Sequence, residues 1–437
     1  MSILKLLDKK LKRTLFTTPT HSQKNIGPKW LEGLYEHDFS EIEGFDNLQN
    51  PTGAIMLAQE RLSSIYGTKK TFMLTNGSTS GILAIIKAIL KPNDKVLIAR
   101  NCHKSVFSAI TLTNAKIDWI IPNINEEWGI YTEIDPKNLE NNLKLDTYKA
   151  VILTSPTYEG VNSNIEEIAK ICHQYGVYLM VDEAHGALYN FSDLLPKTAI
   201  EQGADFSVNS LHKNAGAPNS CALLHVSKNC NFDEDKIQDS LNLFATTSPS
   251  YPMLASIEAC VDFLNKNGKE KIKKLIINIE NFEKSVSQKG YEFLNADKTK
   301  ILLKKNNCDM LVLSQILFEG FNIEDEMASN KALLFLTGIG TTNSKLNKLK
   351  DALNFIKIPQ NVNIKNDFQP FPFIKIQPYD AFNMDYVEID SKEALLKVSA
   401  QMITKTPPCC AILYPGEVIQ EWHLDKIGER IKVLKHE

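Results

Sequence analysis

The sequence lacks the features that several broad protein classes require. Its 437 residues contain no apolar run approaching the ~20 residues that a membrane-spanning helix needs. The formal net charge is only −3, and 43% of the residues are hydrophobic. These values exclude the disordered and collagen-like classes and give no broad electrostatic attraction to nucleic acid. We expect a soluble globular protein that acts on a small molecule and uses neither a nucleic acid nor a membrane as a partner.

The cysteines follow neither a metal-binding nor a disulfide pattern. No CxxC pair is present, and the eight residues are irregularly spaced: Cys102, Cys172, Cys221, Cys230, Cys260, Cys308, Cys409 and Cys410. Zinc sites favour paired ligands at short spacing, and disulfide frameworks belong to small secreted domains. We therefore expect reduced thiols in a cytoplasmic protein without a structural metal.

The N-terminal segment MSILKLLDKKLKRTLF has apolar residues at helical spacing with basic residues between them. It has no uninterrupted apolar core and no small-residue cleavage site, so we do not predict a secretory signal. An amphipathic docking helix is the favoured interpretation. A mitochondrial presequence or a helix on a membrane surface stays open as a less favoured alternative.

Short β-rich runs recur along the first half of the chain. They are TFMLT (71–75), KVLIA (95–99), DWIIP (118–122), AVILTSP (150–156), YLMVDEA (178–184), DFSVNS (205–210) and CALLHV (221–226). Helical patterns such as those at 80–90 and 165–176 separate most of them, which predicts βαβ units and a largely parallel sheet with flanking helices. The last two runs are too close for a crossover helix, so we predict an antiparallel pair and a mixed sheet.

The second half of the chain predicts a connector and smaller modules. The segment 267–290 has the pattern of one long helix that ends at Gly290. Shorter runs from 291 to about 358 predict a smaller α/β unit, and a Pro- and Asn-rich passage separates it from a terminal module. The predicted division is an N-terminal arm (1–50), a large domain (51–290), and a C-terminal small domain with the terminal module (291–437).

Polar residues fall at the ends of the predicted strands, where open α/β sheets bind their ligands. In LTNGSTSG (74–81) a strand ends and a helix begins. The backbone N–H groups after Gly77 and the hydroxyls of Ser78 and Thr79 therefore predict an anion site that suits phosphate. For this motif alone a plain Ser/Thr helix cap is the simpler interpretation, and no Gly-Lys-Ser/Thr follows as in a Walker loop.

Two other strand ends carry a ring and a carboxyl group. His103 follows the run at 95–99 and is placed to stack on a planar ligand, although a lone histidine is more often structural. Asp182 follows four apolar residues, and His185 comes three residues later. A carboxylate that ends a buried strand is costly unless it has a cationic or hydrogen-bonding partner, so Asp182 is a candidate site residue. A helix N-cap is its alternative role.

The last of these strand ends places Ser210, His212 and Lys213 together in SVNSLHKNAGAP. A lysine taken alone is most often a solvated surface residue. Together, however, a lysine, a buried acid, an aromatic ring and an anion cradle are what pyridoxal 5'-phosphate (PLP) requires of its protein. A metal site built from the three histidines is a lesser alternative, because no paired ligand spacing supports it.

These motifs resemble those of the PLP-dependent ornithine/lysine/arginine decarboxylases, which have the fold type I, aspartate-aminotransferase-like architecture. Over most of the chain the resembling segments occur in the order that this family shows. They are FDNLQNPTGAI (45–55), LTNGSTSG (74–81), ARNCHKSV (99–106), SPTYEGV (155–161), VDEAHGAL (181–188), SLHK (210–213), TTSPSY (246–251) and YPGE (414–417). The resemblance implies a carboxy-lyase of polyamine metabolism that acts on ornithine, lysine or arginine and binds PLP in its large domain. It also implies a homodimer or a higher even oligomer with shared active sites.

The resemblance also assigns roles to single residues. Lys213 would bind the cofactor covalently, Asp182 would hydrogen-bond the pyridinium nitrogen, and His103 would stack on the ring. Ala184 would pack on the opposite ring face, with His185 beside the cofactor. The phosphate would be held by Gly77, Ser78, Thr79, Ser210 and His212, and a partner subunit would donate Thr246, Thr247 and Ser248.

Some positions depart from the family pattern. Thr406, Cys409 and Cys410 stand where Tyr, Gly and Ile are usual, and Tyr379 replaces a usual Arg. The segment TPTHSQ (18–23) replaces an expected Pro-Gly-His. These departures leave the cofactor residues intact and bear on the identity of the substrate.

Two other functions stay open at this point. One is a PLP enzyme of another reaction type, such as an aminotransferase or an aldolase, and the other is a PLP-binding protein without turnover. Aminotransferases of this fold usually anchor the substrate carboxylate with an Arg of the small domain, but residues 291–404 contain none. Retention of both Lys213 and Asp182 favours an active enzyme.

Overall fold

The computed structural model describes residues 2–7, 24, 28–29, 32–42, 44–359, 371–405 and 410–435. Helices in these residues are α1 (Ile3–Leu7), α2 (Glu32–Glu36), α3 (Ala54–Tyr66), α4 (Gly77–Ile89), α5 (Lys104–Thr113), α6 (Pro136–Leu145), α7 (Ile165–Gln174), α8 (Leu211–Asn214), α9 (Glu234–Phe244), α10 (Tyr251–Ser287), α11 (Met310–Phe321), α12 (Asn343–Phe355), α13 (Pro378–Asn383) and α14 (Glu421–Leu424).

The strands in the same residues are β1 (Lys70–Leu74), β2 (Lys95–Ala99), β3 (Lys116–Ile120), β4 (Ile124–Asn125), β5 (Ile130–Tyr131), β6 (Ala150–Thr154), β7 (Tyr178–Asp182), β8 (Phe206–Ser210), β9 (Ala222–Val226), β10 (Tyr291–Phe293), β11 (Lys300–Lys305), β12 (Met327–Ala328), β13 (Leu333–Leu336), β14 (Tyr386–Asp390), β15 (Ile403–Lys405), β16 (Cys410–Leu413) and β17 (Arg430–Leu434).

The principal sheet has seven strands in the order β1-β9-β8-β7-β6-β2-β3. Strand β2 pairs in parallel with β3 and β6, whereas β9 pairs antiparallel with β1 and β8. This confirms the prediction of a mixed, mostly parallel sheet with flanking helices. It also confirms the antiparallel β8–β9 pair, whose short connection leaves no room for a parallel crossover.

The chain forms two compact units. The first comprises Met1–Ala88, Val181–Lys274 and Gly338–Gly340, and the second comprises Ile89–Met180, Leu275–Thr337 and Thr341–Glu437. Both units are assembled from separate stretches of the chain, so they do not test the boundaries predicted at residues 50 and 290. That division stays a prediction.

The smaller α/β unit predicted after residue 290 lies within the second unit. Strands β10, β11, β13 and β12 form an antiparallel sheet in that order. Apolar residues of this sheet and of α11 and α12 share one core that includes Leu303, Leu317 and Leu353. The terminal module contains the pairs β14–β17 and β15–β16, with a core around Leu413, Ile419 and Ile431.

The long helix predicted at 267–290 differs from the observed α10, which begins at Tyr251 and ends at Ser287. The pair Asn267-Gly268 resembles a turn in sequence, yet it lies inside the helix. A Cβ at Gly268 would come within 2.9 Å of Phe191 Cβ, so the glycine allows a close approach there. Gly290 follows the helix with a φ of 84°, a conformation that favours glycine.

Several predictions fall on residues outside the described ranges. These are most of the proposed N-terminal helix, the TPTHSQ segment, Thr406 and Cys409, and most of the Pro- and Asn-rich passage. Among the described residues, no helix has the length and apolar character needed to cross a membrane. The same residues contain no cluster of three or more His, Cys, Asp or Glu side chains suited to a metal ion.

Candidate active site

The predicted anion site lies where β1 gives way to α4. Gly77 begins the helix with a φ of 74°, which favours glycine, and its amide donates to the carbonyl of Ser220 at 2.8 Å. A Cβ at this position would meet no other atom within 4 Å, so the space beside the turn is open. The Ser78 hydroxyl lies 2.8 Å from that of Ser210 at the end of β8. Two distant segments thus bring paired hydroxyls to a helix N-terminus.

The other two predicted phosphate-binding residues, Thr79 and His212, follow Ser78 and Ser210 closely in sequence. Thr79 is exposed in the first turn of α4. His212 is half-buried in α8, and its Nδ1 lies 3.4 Å from the carbonyl oxygen of Cys221. Burial lowers the pKa of His212, which favours a neutral ring at pH 7.

The end of β7 places Asp182 beside the end of β8. Asp182 is buried, and its Oδ1 accepts from the amide of Ala184 at 3.1 Å. The carbonyl of Ala184 in turn accepts from the amide of Ser210 at 3.2 Å. Asp182 and Ser210 are therefore connected through Ala184, by one hydrogen bond to the carboxylate and one between backbone groups.

Lys213 meets His185 in the same unit. Their Nζ and Nε2 atoms are 2.8 Å apart, and His185 is buried. Asn214 secures this pair, since its Nδ2 donates to the carbonyl of His185 at 2.9 Å. The backbone of Asn214 is packed so closely that a Cβ at Gly338 would lie 2.3 Å from its carbonyl oxygen. The sequence reasoning missed Asn214, although its position directly after Lys213 is a usable signal.

The remaining predicted residues lie elsewhere in the two units. His103 belongs to the second unit and is the N-cap of α5, where its Nδ1 accepts from the amide of Ser105. In the first unit, Thr247 and Ser248 are exposed after α9, and the Ser248 amide donates to Thr246 Oγ1. The ring-stacking and partner-subunit roles given to these residues stay predictions.

The first unit contains a donor set that fits PLP. A helix N-terminus with two hydroxyls at 2.8 Å suits a phosphate, and a lysine amine suits a carbonyl carbon. The buried carboxylate of Asp182 suits a protonated ring nitrogen. These groups come from β7, β8, α4 and α8, in agreement with the general rule that α/β sheets bind ligands beyond strand ends.

Comparison with known proteins decides the family. The model of the Orn/Lys/Arg decarboxylase major domain matches residues 24–345, which is most of the chain. The chain belongs to the Orn/Lys/Arg decarboxylase family. It is a PLP-dependent amino-acid decarboxylase of fold type I.

Individual relatives support this assignment. The chain is 29% identical to the protein YaaO of Bacillus subtilis, over 93% of this chain and 88% of that protein. It is also 29% identical to an arginine decarboxylase of Bacillus anthracis, over 95% of this chain and 90% of that one. The lysine decarboxylase LdcF of Francisella novicida has the same fold, with a TM-score of 0.82 at 19% identity, covering 99% of this chain and 80% of that chain.

The decarboxylase also contains a buried polar group that the sequence reasoning missed. Glu183 directly follows Asp182, and its Oε1 accepts from the amide of Ala199 at 2.7 Å. Asn209 Nδ2 donates to the Glu183 carbonyl at 2.9 Å and to its Oε2 at 3.1 Å. The only sequence signal is the acidic pair itself, and it does not identify either partner.

The polar chain continues across the sheet. Asn209 Oδ1 lies 2.9 Å from His225 Nε2, and His225 Nδ1 lies 2.9 Å from Thr71 Oγ1. Burial lowers the pKa of His225 to about 3, so its ring is neutral at pH 7 with one donor nitrogen and one acceptor nitrogen. Side chains from β8, β9 and β1 are thereby linked to the residue after Asp182.

Glu183 makes the stability of the decarboxylase depend on pH. Burial raises its pKa to about 8 from an ordinary value of 4.5, while the hydrogen bonds from Ala199 and Asn209 oppose this rise. The folded protein therefore binds a proton that the unfolded chain releases. The stabilisation is complete below about pH 4.5 and is lost as the pH rises through about 8, by about 1.4 kcal/mol per pH unit within that window.

We expect the free energy of unfolding to fall less between pH 6 and 9 in Glu183→Gln than in the unchanged protein, because the amide does not titrate. Urea unfolding at several pH values measures both slopes. Glu60→Gln is the matched control, because Glu60 is an exposed acid of α3 in the same unit. Identical pH slopes for Glu183→Gln and the unchanged protein would refute the assignment.

Proposed function

We propose that the protein decarboxylates a basic amino acid, namely arginine, lysine or ornithine, to the corresponding amine and CO2, and that Lys213 is the residue that binds PLP. The observation that carries this proposal is the Lys213–His185 pair at 2.8 Å, in the same unit as the Ser78–Ser210 cradle. Several relatives, including the arginine decarboxylase of Bacillus anthracis and the constitutive lysine decarboxylase of Escherichia coli, are named for a basic amino acid, which supports a basic substrate.

Different residues of the chain would bind different parts of the cofactor. Bound PLP supplies an electron sink for the electrons that the departing carboxylate leaves behind. Asp182 would hold a proton on the ring nitrogen, because a nearby carboxylate favours the charged form of a base. The phosphate would be held by the residues Gly77, Ser78, Thr79, Ser210 and His212, with Ala184 and His103 against the two ring faces.

The Lys213–His185 pair suits proton handling. One of the two nitrogens, Nζ or Nε2, must donate in a hydrogen bond of 2.8 Å while the other accepts. The pair therefore holds a proton at a defined place near the cofactor residues. Lys213 is one candidate to return a proton to the substrate carbon, and His103, which is proposed to stack on the cofactor ring, is the other.

Direct assay tests the proposal. Purified protein supplied with PLP is incubated separately with L-arginine, L-lysine and L-ornithine, and CO2 and the amine product are measured together. We expect stoichiometric CO2 and amine from at least one of the three. Formation of a keto acid without CO2 would indicate an aminotransferase, and PLP binding without any product would indicate a protein that has lost turnover.

We further propose that the enzyme acts in the cytoplasm, in polyamine metabolism. The amines formed from these three amino acids are the usual starting compounds for polyamines. Among the described residues, Cys221, Cys230 and Cys308 are buried and form no disulfide, which fits a reducing compartment. Fractionation of the source cells and amine analysis of cells lacking the gene would test both statements.

The enzyme is also proposed to be a homodimer with shared sites. Thr247 and Ser248 bear exposed hydroxyls, as expected of a segment that a second copy would cover. Co-expression of Lys213→Ala chains with Thr247→Ala/Ser248→Ala chains should restore about a quarter of the unchanged activity, because half of the dimers then have one intact site. Either variant expressed alone should stay inactive or nearly so.

Sedimentation of the same samples reports the oligomeric state directly. Activity in a monomer, or no recovery in mixed dimers that are shown to form, would contradict shared sites. Recovery is read as amine produced per milligram of protein.

A further inference from the structure

The segment that carries His103 is held by the terminal module. Arg100 follows β2, three residues before His103, and its side chain is fully buried. The Nε and Nη2 atoms of Arg100 donate to the two carboxylate oxygens of Glu417 at 3.1 and 2.9 Å. Glu417 is also fully buried and belongs to the YPGE motif. A bidentate pair of this kind fixes both position and orientation.

Neighbouring groups form further hydrogen bonds with Arg100 and Glu417. Arg100 Nη1 donates to the carbonyl of Ala411 at 2.6 Å. The Glu417 carboxylate accepts from Trp119 Nε1 at 3.1 Å and from the Tyr414 amide at 2.7 Å. The guanidinium also lies over the Tyr414 ring, 4.6 Å from its centroid. A buried ion pair is tolerated when its hydrogen bonds are met in this way.

Further contacts join Cys410 and Tyr414 of the terminal module to the segment around His103. Cys410 pairs with His103 in an isolated antiparallel bridge, and its Sγ donates to the Asn101 carbonyl at 3.1 Å. The Tyr414 ring stacks on Phe107 of α5 at 4.3 Å. Residues 410–417 therefore contact the His103 segment on both sides of the histidine.

We propose that Arg100 and Glu417 are positioning residues, which act through the terminal module to fix His103 for decarboxylation. This inference rests on the proposed function, in which His103 stacks on the cofactor. It assigns the terminal module a part in the reaction, because the module supplies the carboxylate and the backbone partner that hold the histidine. Neither Arg100 nor Glu417 is proposed to touch the substrate.

The test replaces the ion pair without leaving one charge buried alone. In Arg100→Met/Glu417→Leu both charges are exchanged for apolar side chains of similar length, a change that folded proteins often tolerate. We expect this variant to retain PLP and to show faster backbone hydrogen exchange in peptides spanning 101–106. Its kcat should fall by between about tenfold and a hundredfold, because small displacements of site groups have effects of that size.

Combination with His103→Ala separates positioning from general damage. If the pair acts through His103, Arg100→Met/Glu417→Leu/His103→Ala should be no slower than His103→Ala alone. The matched control is Arg430→Met/Glu388→Leu, which removes an exposed ion pair of the same module, with N–O separation of 3.4 Å. This control should leave kcat and the exchange of 101–106 unchanged.

Each outcome bears on the proposal. Unchanged kcat or unchanged exchange in Arg100→Met/Glu417→Leu would overturn it, and so would full additivity with His103→Ala. If the double variant does not fold, Arg100→Lys keeps the charge but loses the bidentate geometry, and the same criteria apply to it. Failure of the unchanged enzyme to produce any amine would instead refute the proposed function, while the exchange measurement still reports whether the pair holds the segment.

Discussion

Replacement of Lys213 by alanine should abolish decarboxylation, with kcat reduced by at least about a thousandfold, because the amine that is proposed to bind the cofactor is then missing. The unchanged protein with bound PLP should be yellow. Borohydride should reduce the bond between the cofactor and its lysine, so that the colour is lost and the cofactor stays attached permanently. Peptide mapping by mass spectrometry should then place the added mass on Lys213. The structural basis is the position of its Nζ, 2.8 Å from His185 Nε2.

Lys228 provides a matched control for this experiment. It lies in the same unit, shortly after β9, and is exposed. Lys228→Ala should keep normal colour, borohydride labelling and turnover. Label on any lysine other than Lys213, or substantial amine production by Lys213→Ala, would show that the site has been misassigned.

Replacement of Asp182 by alanine should slow turnover far more than it weakens cofactor binding. In the proposed site, the phosphate and the covalent bond would anchor PLP through many contacts, whereas the carboxylate would act on the charge of the ring. Loss of one preorganised charge partner in a buried site typically costs on the order of 3 kcal/mol, roughly a hundredfold or more in rate. Asp182 is 4% exposed, so water screens this interaction little. Cofactor content and kcat are measured on the same preparation.

Asp182→Asn separates the charge from the structural contact. In the unchanged protein the Ala184 amide donates to Asp182 Oδ1 at 3.1 Å. The side-chain carbonyl of an asparagine at this position can still accept that hydrogen bond. If the charge is what matters, Asp182→Asn should be nearly as slow as Asp182→Ala. Near-normal activity of Asp182→Asn would assign the effect to the hydrogen bond, and near-normal activity of both variants would remove Asp182 from the mechanism.

Local patterns explain why much of the fold could be predicted. Each strand of the principal sheet was predicted from a short apolar run, and its observed bounds differ by a few residues at most. The helix α10 was predicted over 267–290, but it begins at Tyr251, and Gly268 lies inside it close to Phe191. Such a close approach is a tertiary contact and leaves no signal in neighbouring residues.

For the candidate site too, the sequence predicts where some residues lie, but not which groups contact them. Lys213, Asp182 and the Gly77 turn follow predicted strands, so topology alone places them at strand ends. The groups that form hydrogen bonds around these residues come from distant parts of the chain. The link from Glu183 through Asn209 to His225 depends on the order of β8, β9 and β1 in the sheet. That order is not contained in any single segment.

The sequence by itself determined the succession of strands and helices and the strand-end positions of Lys213 and Asp182, because each depends on the pattern of neighbouring residues. It also indicated the cofactor class, because the residue types that PLP requires occur at several predicted strand ends. Only the tertiary structure decided which polar groups are buried and what satisfies them. Arg100 and Glu417 are 317 positions apart and meet in a fully buried pair. The physical reason is that the cost of burying a charge depends on every group packed around it, and those groups are brought together only by folding.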